Sequence, residues 1–313
     1  MFEVATGKEL AHLLHKSPVR ALAFSTDGHN LATGSDDWTA RVFDLTSQKE
    51  VARFTLDSVV NAVVFSPDAR YLATGTANRN HSVGVSDVAG QRQLWHMNHE
   101  DVVNTVAFSP DGRYVASGSD DGRVRVWEAA AGQERLPGFP QEYPIVAVAF
   151  SPKGTYLATG SEDKTARVYE FPTAKEVSHL IHGGSVDTLM FSSDGRYLAT
   201  GSYDHTARVL EIESGNEVSR AVLDWPVRSI NFASDGLHLS VTAAPSPGIN
   251  VSITTHFLHA TDLIADACSR VTRNLTHEVW KQYVGTYVPY EDLPKRAVGI
   301  ALTSQFRRIF VSD

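Results

Sequence analysis

Large rings at Trp38, Tyr143, Tyr203, His205 and Trp225 are interspersed with the carboxylates Asp36, Asp57, Glu100, Asp101, Asp120, Glu142, Glu162 and Asp224. A carboxylate pairs with an ammonium or guanidinium head, and a ring face holds the same cation through its quadrupole. The chemistry this set can do is recognition of a Lys- or Arg-bearing segment. Bond-making motifs are missing: the sequence has no phosphate-binding glycine loop, no His-Glu-x-x-His and no paired-cysteine zinc spacing.

Bulk composition narrows the setting. The chain has 313 residues, more than the roughly 250–300 at which single cores stop growing, so two domains or a repeat array is expected. A net charge of −8 and a pI near 5.9 speak against a nucleic-acid partner, because phosphate neutralisation needs clustered Lys and Arg. No apolar run reaches the roughly 18 residues of a membrane helix, so no membrane partner is expected. Cys268 is the single cysteine, and the amino terminus lacks the basic and apolar regions of a signal peptide. A reducing cytoplasm is therefore the expected location.

The elements that must position the rings and carboxylates repeat. A phenylalanine recurs at Phe24, Phe65, Phe108, Phe150, Phe191 and Phe232, in steps of 41, 43, 42, 41 and 41 residues. Each closes a β-prone phrase such as VRALAF (Val19 to Phe24) or VNTVAF (Val103 to Phe108). A turn like Ser109-Pro110-Asp111-Gly112 follows, with Pro fixing φ and Gly accepting positive φ. Then come a LATGS-like strand, a turn bearing Asp36-Asp37, Asp120-Asp121, Glu162-Asp163 or Tyr203-Asp204, a TARVF-like strand, and an outer strand such as KEVARF. That makes four short strands per period.

Over most of residues 1 to 255 this pattern resembles WD repeats, whose period is about 40 to 45 residues. The resemblance implies an all-β β-propeller, and the six repeats together with a composite closing blade from the two termini make it seven-bladed. The Trp-Asp signature is degenerate, reading Phe43-Asp44, Ser86-Asp87, Trp127-Glu128, Tyr169-Glu170 and Leu210-Glu211, and of the Gly-His signature only His15, His99 and His182 survive. The family's hydrogen-bonded side-chain tetrad is therefore expected to be incomplete in most blades, with packing carrying more of the stability. The three histidines read as caps on the entry to the first strand. Arg41, Arg125, Arg167 and Arg208 recur in third strands and read as blade-to-blade ion pairs.

Six repeats occupy 14–255. Residues Phe2 to Glu9 match Phe43 to Glu50, and Ile300 to Ser312 can be laid on Leu22 to Gly34. Residues 1–13 and 298–313 therefore read as complementary halves of a composite closing blade, which would remove two exposed sheet edges. Between them, 256–285 reads as a two-helix insertion: Thr261 caps a segment with Leu263, Ile264, Ala267, Cys268 and Val271 on one face, and Thr276 caps a second with Val279, Trp280 and Tyr283. The phrase ADACSRVTRNLTHEVWKQYVG is similar to the segment that follows the propeller in bacterial WD-repeat proteins linked to STAND-type NTPases and some kinases, whereas YVPYEDLPKR from Tyr287 departs from that pattern.

The resemblance implies that function sits on the face made by the fourth-to-first and second-to-third strand loops, where blades differ. Trp38, Tyr143, Tyr203, His205, Trp225, Asp36, Asp120 and Glu162 are the candidate binding set, supported by irregular loops at Asn78 to His81 and Ala244 to Gly248. The expected function is a non-catalytic scaffold or sensor of bacterial signalling that binds a protein or peptide, with no cofactor and no metal, within a larger multidomain protein. The alternatives are a hydrolase or lyase with a central-channel site and a purely architectural module. The channel positions Arg20, Asn61, Asn104, Val146, Asp187 and Arg228 include one carboxylate and no histidine, and Asp187 is expected to pair with a neighbouring Arg.

Overall fold

The computed structural model describes residues 9, 13–77, 81–233, 238–245 and 252–257. Two compact units divide the chain, Met1–His256 and Phe257–Asp313, and the architecture below is that of the first. Among the described residues its elements are all strands. The first sheet consists of β1 (Val19–Phe24), β2 (Asn30–Ser35), β3 (Thr39–Asp44) and β4 (Lys49–Thr55), hydrogen-bonded in that order. The second holds β5 (Val59–Phe65), β6 (Tyr71–Ala77), β7 (Ser82–Asp87) and β8 (Arg92–Asn98), and the third β9 (Val103–Phe108), β10 (Tyr114–Ser119), β11 (Arg123–Glu128) and β12 (Glu134–Pro140). β13 (Ile145–Phe150), β14 (Tyr156–Ser161), β15 (Thr165–Glu170) and β16 (Lys175–Ile181) form the fourth. β17 (Val186–Phe191), β18 (Tyr197–Ser202), β19 (Thr206–Glu211) and β20 (Asn216–Val222) form the fifth. The sixth has three strands, β21 (Val227–Phe232), β22 (His238–Ala243) and β23 (Ser252–Phe257).

The local sequence explains each hairpin. In the first-to-second strand turns, Ser66 and Ser109 donate Oγ–H to Asp68 and Asp111 at 2.5 Å and accept the backbone N–H of Tyr71 and Tyr114 at 2.9 Å. Such side-chain turns close the chain reversal before any tertiary contact forms. The sheets then stack face to face. Val42 and Phe54 of the first pack on Val60, Val63 and Phe65 of the second, and Val85 and Trp95 of the second pack on Val103, Val106 and Val115 of the third.

The glycine of the LATGS-like phrase makes this approach possible. A Cβ on Gly34 would sit 2.7 Å from Val60 Cγ1, and one on Gly118 would sit 2.6 Å from Ile145 Cγ2. The second strand must be bare where the next sheet's first strand leans on it. Gly34, Gly75, Gly118, Gly160 and Gly201 all meet the next sheet in this way, whereas the sixth sheet has Thr242 at that position.

Every first strand carries a β-bulge at one position. The register slips around Arg20, Asn61, Asn104, Val146, Asp187 and Arg228, each the extra residue against its second strand. A bulge re-aims the side chain it frees, which sets these six apart from their neighbours.

Two expectations meet the structure here. The helical insertion over 256–285 is corrected at its start: residues 256–257 end strand β23, and no helix occurs among the described residues. The two helices themselves, and the composite closing blade of 1–13 and 298–313, lie outside the described residues save Glu9 and residue 13. Consistent with a first sheet that has no predecessor among the described residues, Leu22 and Phe24 are 65% and 61% exposed while their counterparts Val63 and Phe65 are buried.

Candidate protein-binding face

Both loop types named from the sequence converge at one end of the sheets. The turn residues Asp36, Asp120, Glu162 and Tyr203 donate their backbone N–H to Pro18, Val102, Pro144 and Ser185, the residues that lead into the first strands, at 2.8–3.0 Å. Tyr143 precedes β13 and Trp225 precedes β21 in the same loops. All eight candidate residues therefore share this end. Trp38, Tyr143, Tyr203 and Trp225 are 40–54% exposed, in contrast to the buried sheet interiors. Trp38 and His205 occupy the turn position where the third sheet has Gly122, with φ of 65°, 68° and 72°. Non-glycine residues in this left-handed region hold strain.

The acids divide by depth. In the first and third sheets the first acid of the turn meets the bulge residue of its own sheet: Arg20 donates Nε–H and Nη2–H to Asp36, the latter at 3.0 Å, and Asn104 donates Nδ2–H to Asp120 at 2.6 Å. The expected Asp187 ion pair is present, at 3.8 Å from Arg228. Arg228 also lies over the Tyr203 ring at 5.5 Å and donates to the Ala244 and Pro245 carbonyls at 3.3 and 3.4 Å. From the sequence alone these donors to the face stand out only as channel positions. The signal that would have assigned them is their fixed offset of 16 residues from the turn.

The second acid fixes the turn from behind. Asp37, Asp121 and Asp204 accept from histidines His15, His99 and His182 at 3.2, 2.9 and 3.3 Å, and those histidines reach Thr33, Ser117 and Thr200 at 2.7–2.9 Å. In the third sheet Trp127 Nε1–H adds a bond to Ser117 Oγ at 2.9 Å and the tetrad is complete. Indole only donates and carboxylate only accepts, so direction is fixed: Trp127 to Ser117, Ser117 to His99 Nε2, His99 Nδ1–H to Asp121. The histidines thus tie turn to second strand, a correction to their reading as caps of the first strand. In the fourth sheet Gln141 takes the histidine's place, donating to Thr159 at 2.9 Å and to the Tyr169 hydroxyl at 3.3 Å, with its own Oε1 buried and unpartnered.

Burial sets the charge states. Desolvation pushes His182 down to about 4 and also lowers His15. Burial alone would raise Asp121, but the His99 hydrogen bond and charge outweigh it and hold the carboxyl at about 2. In the fifth sheet the pair is a neutral His182 imidazole on an ionised Asp204 carboxylate, which hydrogen bonds from Thr206 and Gly183 hold well below the usual carboxylate range.

The third-strand arginines correct a further expectation. Their ion pairs stay within one sheet: Arg41 with Asp37 at 2.6 Å and Glu50 at 3.8 Å, Arg167 with Asp163 and Glu176 at 3.3 Å, and Arg208 with Asp204 at 3.2 Å and Glu217 at 3.7 Å. Arg125 likewise meets Glu134 at 3.9 Å. The contact between sheets is a hydrogen bond to a carbonyl, from Arg125 to Asn98 at 3.0 Å and from Arg208 to Ile181 at 3.1 Å. The geometric cause is register: Arg41 and Arg208 lie opposite β4 and β20, so the nearest carboxylates belong to their own hairpin.

Among the described residues no group of three or more His, Cys, Asp or Glu is placed to hold a metal ion. The repeated antiparallel sheets and their His-Asp networks define a WD-propeller-like class of protein. The family model described as WD domain, G-beta repeat, matches residues 7–44, 49–88, 91–128, 135–170 and 175–210, more than half of the chain, and the chain belongs to that WD40 family. Repeats of this family generally mediate protein interactions as scaffolds and are generally non-enzymatic. The crystal structure of the computationally designed Ika8 protein is similar in fold, with a TM-score of 0.71 and 24% identity over 82% of this chain and 76% of that one. No curated protein matches the sequence.

Proposed function

We propose that this chain is a non-catalytic scaffold or sensor that binds a protein or peptide bearing Lys or Arg through the end of the sheets holding Trp38, Tyr143, Tyr203, His205, Trp225, Asp36, Asp120 and Glu162. The observation that carries the reading is the set of four large rings left 40–54% exposed at that one end. Amphipathic rings beside carboxylates are typical anchors of a partner's side chain. The similarity of 265–285 to the segment that follows bacterial STAND- and kinase-linked propellers supports a role in bacterial signalling within a multidomain protein.

Combined charge reversal, Asp36→Lys, Asp120→Lys and Glu162→Lys, tests the face. Partners retained by the wild-type chain from a lysate of the native organism are expected to be lost by the variant, with melting checked in parallel. Undiminished capture by a folded variant places the interaction elsewhere.

A further inference from the structure

The pairing of bulge residue and turn acid seen in the first and third sheets is absent from the fourth, where the turn acid is kept and the donor is not. In the first sheet Asp36 is occupied by Arg20, and in the third Asp120 is occupied by Asn104. At the fifth and sixth sheets Arg228 covers the Tyr203 ring and faces Asp187. The second sheet has Ala77 at the turn position and needs no donor. In the fourth sheet the bulge residue is Val146, which has no donor to give, and the turn residue is the exposed Glu162. Its carboxylate makes no hydrogen bond or ion pair among the described residues.

The surroundings of that vacancy are fixed. Glu162 N–H donates to the Pro144 carbonyl at 3.0 Å and Ser161 Oγ–H to the same oxygen at 2.9 Å, which anchors the Tyr143-Pro144 loop against the turn. Tyr143 is 53% exposed beside it. Val146 is half-buried, an aliphatic surface where the other sheets place a polar group or a charge.

Resting on the reading of this end as a binding face, we propose that Val146, Glu162 and Tyr143 form the primary subsite, and that it takes one Lys or Arg side chain of the partner. The methylene stem lies on Val146, the cationic head pairs with Glu162, and the Tyr143 ring flanks the head. The partner's cation does in the fourth sheet what Arg20 does in the first. At Asp36 or Tyr203 an incoming cation must first displace an internal one, whereas at Glu162 it displaces only water. Specificity follows from which bulge residue lacks a donor.

The experiment uses immobilised nonapeptides of Gly, Ser and Ala with a central Lys, Arg, Leu or Glu, probed with the full chain. Wild type is expected to favour the Lys and Arg members. Val146→Arg supplies Glu162 with an internal partner, as Arg20 does for Asp36, and is expected to weaken that preference by about tenfold or more. Glu162→Gln is expected to do the same. Arg20→Val, which frees Asp36, is expected to keep the preference or strengthen it.

Unchanged Lys and Arg binding by folded Val146→Arg and Glu162→Gln, but loss in the triple charge-reversal variant, overturns the subsite and leaves the face standing. Unchanged binding in all of them, or no preference in wild type, overturns both.

Discussion

The third and second sheets solve one packing problem in opposite ways. At the position whose backbone N–H donates to a carbonyl of the preceding sheet's turn, the third has His99 and the second Leu56, bonded to the His81 and Trp38 carbonyls at 2.8 and 2.9 Å. His99 runs a polar chain through the hairpin, whereas Leu56 is buried in the apolar interface with no chain to join. The Trp127 position is Ser86 in the second sheet, and its hydroxyl is buried without a partner. The second sheet draws a compensating contact from its edge: Trp95 donates Nε1–H to the Ala129 carbonyl at 2.7 Å and lies 6.2 Å from Trp127. Polar wiring fixes a turn within a sheet, and apolar docking fixes one sheet on the next. A degenerate repeat stays folded because either device serves.

The largest test of this contrast is His99→Leu, which imposes the second sheet's residue on the third. Asp121, whose side chain is 3% exposed, and Ser117 lose their shared partner. A loss of about 3 kcal/mol is expected, the cost of breaking a buried polar network, read as a lower urea midpoint. A retained midpoint would show that the chain of bonds adds nothing to packing.

A pH titration probes the same wiring in the fifth sheet. His182 titrates at about 4 in the folded chain against 6.5 unfolded, so it is neutral when folded and charges on unfolding. The unfolded state binds more protons between these values. Stability is full above pH 6.5 and falls as pH drops toward 4, by up to about 3 kcal/mol. Urea unfolding at several pH values should show this slope, reduced in His182→Gln, which copies the fourth sheet's Gln141.

The smallest effect is a gain. Gln141→His removes the buried unpartnered Oε1 and places an imidazole where Thr159 and Asp163 stand in for Ser117 and Asp121. A stabilisation of about 1 kcal/mol is expected, seen as a higher midpoint. A fall would mean that the Tyr169 hydroxyl bond is worth more than the histidine chain.

Much of the fold was legible in the residues. The phrases ending at Phe24 through Phe232 are the six first strands, and the Ser-x-Asp turns close as their side chains dictate. The shared end of the eight face residues also follows from strand order. The roles behind that face were not legible. His99 and Trp127 look like remnants of a degenerate signature, yet Ser117 and Asp121 complete their network; the recurring arginines look like links between sheets, yet their acids lie within their own hairpin.

The physical reason is range. Strand and turn chemistry acts over a few residues, so the sequence by itself determined the period, the hairpins and which loops meet at one end. Pairings that span 16 to 22 residues depend on where each bulge falls and which side chain it re-aims. Only the tertiary structure decided that Asp36 and Asp120 are already occupied, and that Glu162, opposite Val146, is not.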